Sequence, residues 1–417
     1  MRSLIVTLLV LLLMWTGCTY VACHAPLSVG SPPPKPDPVT CGIDTLTESR
    51  FDVLRDRRVG LITNHTGLDG AGRRTVDVMA ESDVFELVAL FSPEHGFGGE
   101  LDEEGIVSGL DAATGLPVHS LYGTTRRPTP QMLEGLDTLV FDIQDVGVRF
   151  YTYISTMGIA MEAAAEAGVA FIVLDRPNPL GGVRVAGPVL DDGLRSFVAF
   201  HELPVQHGMT VGELARMFRV ERELDLDLRV VEMQGWERAE IWTDTGLTWI
   251  PPSPNLPTFQ SVLLYPGLGL IETTNVSVGR GTPTPFELVG APWMNPQSVL
   301  AAFLASAPND LKGQLMIEKA TFRPTSREFV GEACRGVRIR AKWGQNVEPL
   351  RMAAHLIHAI HVTHPEEWDV EAMQRLLGDV ATLEAVRNGA SAESLLEMWR
   401  VESEAFDERR QPYLLYR

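Results

Sequence analysis

Short apolar runs alternate with amphipathic segments along the chain from about residue 58. Four of these runs have the length of strands and carry hydrophobic side chains on both faces: 58–63, 86–91, 137–143 and 169–174. Strands of that kind lie inside parallel sheets, where helices cover both faces. The segments 73–81 and 155–167 between them predict helices, the second with Ser155 as its N-cap. The pattern therefore predicts βαβ units and an α/β fold.

Before residue 262, Thr210 and Glu213 form the capping-box pattern that opens a predicted helix over 211–219. After residue 262 the pattern of hydrophobic and polar positions changes. The later part predicts helices at 296–308 and 347–360, strands at 314–323 and 335–341, and a run of short helices over 370–406. This mixture predicts a second, α+β domain after the parallel sheet.

The leader, residues 1–23, has the pattern of an export signal. A basic start precedes an apolar run over 4–15, which as a helix at about 1.5 Å per residue is shorter than the ~30 Å hydrocarbon core of a bilayer. Cys18 ends a Thr-Gly-Cys sequence that resembles a bacterial lipoprotein cleavage box, so it is the predicted lipidation site, with Cys23 as the alternative. Residues 24–41 hold six prolines and predict an extended linker. We therefore expect an exported lipoprotein, anchored to the membrane and facing the periplasm or the cell exterior.

Composition and charge exclude two classes of protein. The chain has 35 Lys and Arg against 54 Asp and Glu, a formal net charge of −19, whereas a nucleic-acid-binding protein needs clustered basic charge. Hydrophobic residues make up 45% of the chain, which excludes wholesale disorder.

The sequence contains none of the common cofactor motifs. A Gly-x-Gly-x-x-Gly fingerprint, a phosphate-binding P-loop, a Gly-x-Ser-x-Gly elbow and a cysteine–histidine zinc set are all missing from it. We therefore expect no cofactor and no metal. Outside the leader and its stem, only Cys41 and Cys334 remain, and both a disulfide bridge and two free thiols are open.

Polar and titratable residues are concentrated directly after each of the four predicted strands. Ligands bind outside the carboxyl ends of the strands in open parallel sheets, so these residues are candidates for an active site. The candidates are Asn64 after the first strand, Glu94 and His95 after the second, Asp142, Gln144, Asp145, Arg149, Tyr151 and Tyr153 after the third, and Asp175, Arg176 and Asn178 after the fourth. Structural roles are open to them as well: Asp142 as an anchor for Arg149 or for a backbone amide, the other aspartates as loop caps, and the arginines as salt-bridge partners.

Segments at these strand ends resemble one known family, the NamZ-type exo-β-N-acetylmuramidases. They are GLITN at 60–64, FSPEHG at 91–96, FDIQDVG at 141–147 with RFYTY at 149–153, and LDRPNP at 174–179. Further matches are HGMT at 207–210, PPSPN at 251–255, TNVS at 274–277, GRGT at 279–282 and YLLY at 413–416. The resemblance implies a Rossmann-like catalytic domain over 42–262 and a smaller α+β auxiliary domain over 263–417. It also implies an exo-acting glycosidase of cell-wall turnover, which removes N-acetylmuramic acid from the non-reducing ends of peptidoglycan-derived disaccharides or glycan chains.

The same resemblance implies catalytic roles. Glu94 is the predicted general acid, which a glycosidic bond needs for its leaving oxygen. His95 is a candidate for proton transfer, with a loop hydrogen bond as the alternative. The second catalytic role is left open between Asp142, Asp145, Asp175, Glu272 and the acetamido group of the substrate.

Substrate contacts are implied as well. The lactyl carboxylate of muramic acid needs a cation, for which Arg149, Arg176 and Arg280 are the candidates. The other predicted contacts are Asn64, Gln144, Tyr151, Tyr153, Asn178, His207, Asn255, Glu272 and Asn275.

Two other functions fit the same residues. A non-catalytic lipoprotein that binds cell-wall sugars would use the same crevice without hydrolysis. A nucleotide-sugar or phosphosugar enzyme would use it too, but the missing phosphate-binding loops count against that class.

Overall fold

The computed structural model of the protein describes residues 38–99, 108–342 and 347–417. The predicted leader with Cys18, and the linker up to residue 37, lie outside these residues. The strands are β1 (Arg58–Thr63), β2 (Glu86–Ser92), β3 (Gly109–Leu110), β4 (Pro117–Ser120), β5 (Thr138–Asp142), β6 (Ala170–Leu174), β7 (Ala186–Val189), β8 (Pro204–Gln206), β9 (Leu228–Val231), β10 (Leu288–Ala291), β11 (Leu315–Phe322) and β12 (Cys334–Ala341). The helices are α1 (Gly42–Glu48), α2 (Thr75–Ala80), α3 (Pro130–Leu133), α4 (Tyr153–Ala167), α5 (Val211–Glu221), α6 (Phe259–Leu268), α7 (Pro296–Ser306), α8 (Asn309–Gln314), α9 (Pro349–Thr363), α10 (Gln374–Leu377), α11 (Val380–Arg387) and α12 (Ala392–Arg410).

The central sheet has the strand order β3-β4-β2-β1-β5-β6-β9. Its neighbouring strands are parallel except for the edge pair β3 and β4. The chain builds outward from β1 to β2 and β4, then returns to β5 and builds outward to β6 and β9, so its direction reverses between β1 and β5. This is a doubly wound, Rossmann-like arrangement, and the prediction of an α/β fold with a parallel sheet is confirmed.

Local sequence signals explain most of the elements around this sheet. The predicted strands correspond to β1, β2, β5 and β6, and the capping box at Thr210 opens α5 as predicted. The prediction of Ser155 as an N-cap is wrong, because α4 begins two residues earlier, at Tyr153. The Tyr153 hydroxyl donates to the Pro252 carbonyl oxygen at 2.6 Å. Tertiary contacts of this kind, and not a side-chain cap, fix the start of the helix.

The second half of the chain adds a small antiparallel sheet with the order β10-β12-β11. The helices α6 and α7 pack against α9, and α7 also covers β12. The prediction of only short helices over 370–406 is wrong for α12, which has 19 residues. This helix returns to the first half and packs on β7, where the Ser403 hydroxyl donates to the Gly187 carbonyl oxygen at 3.2 Å.

The largest hydrophobic core runs through both halves, from Ile62 in β1 to Phe406 in α12. The predicted boundary between residues 262 and 263 falls within α6. The division into two domains at this point stays a prediction.

The described residues include two cysteines and no membrane-spanning helix. Cys41 and Cys334 are buried free thiols, so no bridge joins them. Burial raises the pKa of the Cys41 thiol to about 12. No helix between residues 38 and 417 that the structure describes has the length and hydrophobicity to cross a bilayer.

Candidate active site

A cavity of about 780 Å³ opens beside the loops that follow β2 and β5. Its volume lies in the range of small-molecule sites, about 300–1,000 Å³. The first half of the chain contributes residues 94–95 and 150–152, and the second half contributes residues between 272 and 280 and between 372 and 376. The predicted site residues that line it are Glu94, His95, Tyr151, Asn255, Glu272 and Arg280.

Glu94 reaches the cavity from a tight turn at the end of β2. The Gly96 amide closes this turn by donating to the Pro93 carbonyl oxygen at 3.1 Å. His95 takes a left-handed backbone conformation there, with φ of 69°, which costs a non-glycine residue of order 1 kcal/mol. The Thr152 hydroxyl donates a hydrogen bond to Glu94 Oε2, and the Glu94 side chain is only partly exposed. The turn and the hydroxyl together hold Glu94 at the cavity.

Aromatic side chains form one wall. The Tyr265 ring makes edge-on contacts, measured between ring centroids, to Phe150 at 5.2 Å, to Tyr151 at 6.1 Å and to Phe286 at 4.7 Å. Burial raises the pKa of Tyr151 and of Tyr265 well above the ordinary value, so both hydroxyls stay protonated. Among the described residues, the Tyr151 hydroxyl meets no partner with hydrogen-bond geometry. Such a wall suits a sugar, which has apolar C–H faces and hydroxyl edges.

The lining contains four arginines against three glutamates, Glu94, Glu272 and Glu328, so its balance of charge is more positive than that of the whole chain, which carries −19. The arginines are Arg126, Arg280, Arg327 and Arg375. The Arg126 guanidinium lies over the rings of Tyr122 and Phe197, at 5.1 and 4.4 Å from their centroids. Arg280 forms an ion pair with Glu272. Local cations of this kind attract an anionic ligand that the net charge would repel.

Asn64 and Tyr153 stand behind the lining and support it. Asn64 Nδ2 donates to the Tyr153 hydroxyl oxygen at 3.0 Å, and this hydroxyl donates in turn to the Pro252 carbonyl oxygen. The Tyr153 ring packs edge-on against Tyr151 with 4.8 Å between centroids. The two residues therefore position Tyr151 and the loop that carries Asn255, and they do not themselves line the cavity.

Asp142 and Arg176 form a buried ion pair away from the cavity lining. Arg176 Nε donates to Asp142 Oδ1 at 2.5 Å and Nη2 donates to Oδ2 at 2.9 Å. The Thr75 hydroxyl donates to the same carboxylate. Because Asp142 ends β5 next to β1, this bidentate pair occupies the switch point where doubly wound folds hold a nucleotide. The structure thus gives both residues a structural partner and does not bring them to the cavity.

Asp175 is also buried and outside the lining. Its carboxylate accepts hydrogen bonds from the Thr210 hydroxyl at 2.7 Å, the Gly212 amide at 2.9 Å and the Tyr416 hydroxyl at 2.7 Å. Desolvation raises its pKa to about 7. Asp175 therefore ties α5 and the C-terminal segment to the end of β6.

Asp145 and His207 form a second buried group outside the lining. Asp145 Oδ2 lies 4.0 Å from His207 Nε2 and accepts from the Gly147 amide at 2.7 Å. Desolvation raises the pKa of Asp145 to about 7 and lowers the pKa of His207 to about 3. Gln144 and Asn178 donate to backbone carbonyls of neighbouring loops, at 2.8 and 2.9 Å. These four predicted site residues hold loops together at the edge of the sheet.

Arg149 and Asn275 also bond to backbone and not to the cavity. The Arg149 guanidinium is fully buried and donates to four backbone carbonyl oxygens, so the pairing with Asp142 that the sequence left open is not formed. Asn275 Nδ2 donates to the Glu367 carbonyl oxygen at 2.7 Å, and its Oδ1 accepts from the Asp369 amide at 2.8 Å. Of the three arginines predicted to bind the lactyl carboxylate, the structure brings only Arg280 to the cavity.

Comparison with known proteins identifies the family. Models of the N-terminal and C-terminal parts of the exo-β-N-acetylmuramidase NamZ match residues 59–260 and 263–416. The chain belongs to the NamZ family. Peptidoglycan β-N-acetylmuramidase NamZ from Bacillus subtilis (strain 168) is 42% identical to it over 410 residues, which are 97% of each chain. The predicted family, and with it the prediction of a glycosidase, is confirmed.

Two crystal structures resemble this NamZ-family chain, both of DUF1343 family proteins from Bacteroides fragilis NCTC 9343. The first has a TM-score of 0.83 and 36% identity, and it covers 91% of this chain and 99% of that one. The second has a TM-score of 0.74 and 32% identity, with the same coverage.

Several residues that line the NamZ-family cavity escape the sequence patterns. Thr152 could be found from the sequence, because it lies between Tyr151 and Tyr153, which follow the third predicted strand. Tyr265 lies in an apolar helical segment, which predicts a core residue. Arg126 and Arg375 lie in segments whose local pattern does not indicate where they point, and only the tertiary fold brings them to the cavity.

Proposed function

We propose that this cavity carries exo-β-N-acetylmuramidase activity, which removes N-acetylmuramic acid from the non-reducing ends of peptidoglycan fragments. The position of Glu94 supports this most directly, because it combines a partly buried carboxyl group, a hydroxyl partner in Thr152 and a sugar-sized cavity. The B. subtilis relative is named a peptidoglycan β-N-acetylmuramidase, and we assign the same substrate class to this chain.

Glu94 is the general acid in this proposal. It protonates the oxygen of the leaving sugar as the bond to the muramic acid ring breaks and the ring develops oxocarbenium character. The Thr152 hydroxyl orients the carboxyl group, since it bonds to one of its two oxygens. His95 lies on the same turn and lines the same cavity, where it can contact the leaving sugar or assist proton transfer.

Glu272 is our choice for the second catalytic role. Of the four carboxylates that the sequence leaves open, it is the one that lines the cavity, whereas the other three bond within the protein interior. Its charge is balanced by Arg280. In this role it activates water or stabilises the cationic ring, and the acetamido group of the substrate is the alternative.

Replacing Glu94 by glutamine tests the acid. We expect kcat/KM for the disaccharide of N-acetylmuramic acid and N-acetylglucosamine to fall by about 10²–10⁴-fold, because the amide cannot supply a proton. A 4-nitrophenyl β-N-acetylmuramide should lose much less, because nitrophenolate leaves without protonation. Product release from both substrates gives the comparison.

The control for this experiment is Glu86→Gln at the opposite, exposed end of β2, where Glu86 pairs with Arg58. Its activity should match that of the wild type. An equal loss on both substrates, or less than a tenfold loss on the disaccharide, would show that Glu94 is not the acid. Wild-type protein that binds the disaccharide without releasing product would instead support the non-catalytic sugar-binding lipoprotein.

We also propose that the protein is exported and anchored through a lipid on Cys18. The support is the leader pattern, the Thr-Gly-Cys sequence and the proline-rich linker that follows. A peptidoglycan substrate is consistent with this placement, because the cell wall lies outside the cytoplasmic membrane.

A further inference from the structure

One cavity arginine has no partner within the described part of the protein. Arg280 is paired with Glu272, and Arg126 and Arg327 also have interactions within the chain. Arg375 lines the same cavity and is exposed, and it makes no hydrogen bond or ion pair with any residue that the structure describes. Its guanidinium is therefore available to a ligand.

The short helix that carries Arg375 is tied to the first half of the chain by the buried Arg149. Arg149 Nη2 donates to the carbonyl oxygens of Leu376 at 2.8 Å and Leu377 at 2.6 Å, which end α10. Its Nη1 donates to the carbonyl oxygens of Pro188 at 2.9 Å and Leu203 at 2.8 Å. The last carbonyls of a helix have no partner within the helix and favour a cation, so Arg149 caps α10 from outside.

A second tether holds the other side of Arg375. The Thr273 hydroxyl donates to the Ala372 carbonyl oxygen at 2.6 Å, and both residues line the cavity. The backbone that carries Arg375 is therefore fixed on both sides, at residue 372 and at residues 376–377. Such a segment can present one side chain to a ligand at little cost in backbone entropy.

We propose that Arg375 selects the carboxylate-bearing sugar, and that Arg149 is a positioning residue that holds α10 in place for it. N-Acetylmuramic acid differs from N-acetylglucosamine by a lactyl ether that ends in a carboxylate, and the guanidinium fork of arginine matches a carboxylate with two parallel hydrogen bonds. This inference rests on the proposed function, because it assigns a residue to the substrate's carboxylate.

The first test is Arg375→Gln, with Arg375→Lys beside it. We expect the glutamine variant to raise KM for 4-nitrophenyl β-N-acetylmuramide about tenfold to a hundredfold, with kcat changed less than threefold. Competitive inhibition by free N-acetylmuramic acid should weaken by a similar factor, whereas inhibition by N-acetylglucosamine should not change. Lysine should restore part of the loss, since it keeps the charge without the fork. An unchanged KM, or equal weakening of both inhibitors, would overturn the role of Arg375.

The second test is Arg149→Lys, alone and combined with Arg375→Gln. A lysine cannot bond to four carbonyls at once, so we expect the single variant to raise KM for the muramide about tenfold. In the Arg375→Gln background it should add less than a twofold change, because the residue through which it acts is already gone. Effects that multiply in the double variant would show that Arg149 does not act through Arg375.

Arg410→Lys is the matched control, because Arg410 is also buried and bonds to the carbonyl oxygens of Gly182 and Gly208 outside the cavity. It should lower the melting temperature without raising KM. If Arg149→Lys does not fold, Thr273→Val takes its place, because it removes the hydrogen bond to the Ala372 carbonyl oxygen. We expect this variant to raise KM when alone and to add less than a twofold change in the Arg375→Gln background.

The outcomes separate this inference from the proposed function. Wild-type protein that does not hydrolyse the muramide would overturn the proposed function, and calorimetric binding of the two free sugars to wild type and Arg375→Gln would still test the inference. Normal hydrolysis with unchanged sugar selectivity in Arg375→Gln would overturn the inference alone.

Discussion

At the scale of single residues, the neighbours of a carboxyl group decide what it can do. Glu94 bonds to one hydroxyl and faces a cavity, whereas Asp142 is engaged by a guanidinium and Asp175 by several hydrogen-bond donors. All three follow or end a strand of the same sheet, so residue type and position in the sequence are alike. The difference lies in the partners that distant parts of the chain supply.

Asp145 leads to a prediction about pH. Burial raises its pKa to about 7, compared with about 3.9 in an unfolded chain. The folded state holds this proton more tightly, so its contribution to the free energy of unfolding is complete below about pH 4 and is lost as the pH rises through about 7. We expect Asp145→Asn to flatten the decline between about pH 5 and 7 by up to ~1.4 kcal/mol per pH unit, measured by urea denaturation.

Two other buried groups, Asp175 and His207, also change how the free energy of unfolding depends on pH. Asp175 has the same raised pKa, of about 7, so adding Asp175→Asn should flatten the profile further. His207, whose pKa is lowered to about 3, acts in the opposite direction and removes stability as the pH falls below about 6.5. A profile that Asp145→Asn leaves unchanged would contradict a buried, proton-holding carboxyl group at this position.

At the scale of elements, the central strands are predictable and the short peripheral elements are not. The strands β1, β2, β5 and β6 are hydrophobic on both faces, and this pattern needs no partner to be recognised. By contrast, β3 has two residues and β4 has four. The strand β4 is held by its pairing with β2, and β3 is held by its pairing with β4. The helix α6 contains Pro266 in its interior, which conceals it from a pattern-based prediction.

Gly378, directly after α10, gives a prediction about such a short element. Its φ is 64°, and a Cβ there would lie 2.6 Å from Leu190 Cδ1 and 3.1 Å from Arg149 Nη2. We expect Gly378→Ala to lower the free energy of unfolding by more than the ~1–2 kcal/mol that a left-handed alanine costs, and to raise KM for the muramide. Chemical denaturation and steady-state kinetics measure the two effects.

Gly168 is the matched control for this substitution. It ends α4 with φ of 66°, and an added Cβ would meet no atom within 4 Å. Gly168→Ala should therefore cost only the ~1–2 kcal/mol of the backbone conformation and leave KM unchanged. Equal losses in the two variants would mean that the packing of Gly378 against Arg149 and Leu190 is not tight.

At the scale of the whole molecule, the candidate site is only partly predictable because both halves of the chain build it. Glu94, His95 and Tyr151 are predictable because they follow strands of the parallel sheet. Arg375 is not, because the place of α10 depends on hydrogen bonds from Arg149 that span more than two hundred residues. Long-range contacts of this kind have no signature in the local sequence.

A lipid on Cys18, as we propose, would attach the whole molecule to the membrane. We expect Cys18→Ser to abolish incorporation of a labelled fatty acid and to release the protein from the membrane fraction, because the thiol is the attachment point. Cys23→Ser should leave both unchanged. The reverse result would assign the anchor to Cys23. If the wild-type protein itself takes up no labelled fatty acid, that result would contradict a lipoprotein.

The cavity lining extends from Glu94, in the first half of the chain, to Leu376, in the second. Because a polypeptide is synthesised from its N-terminus, the segment that carries Glu94 is made long before the segment that carries Arg375 and Leu376. An incomplete chain therefore lacks part of the cavity lining, and the cavity can form only after nearly the whole polypeptide has been synthesised.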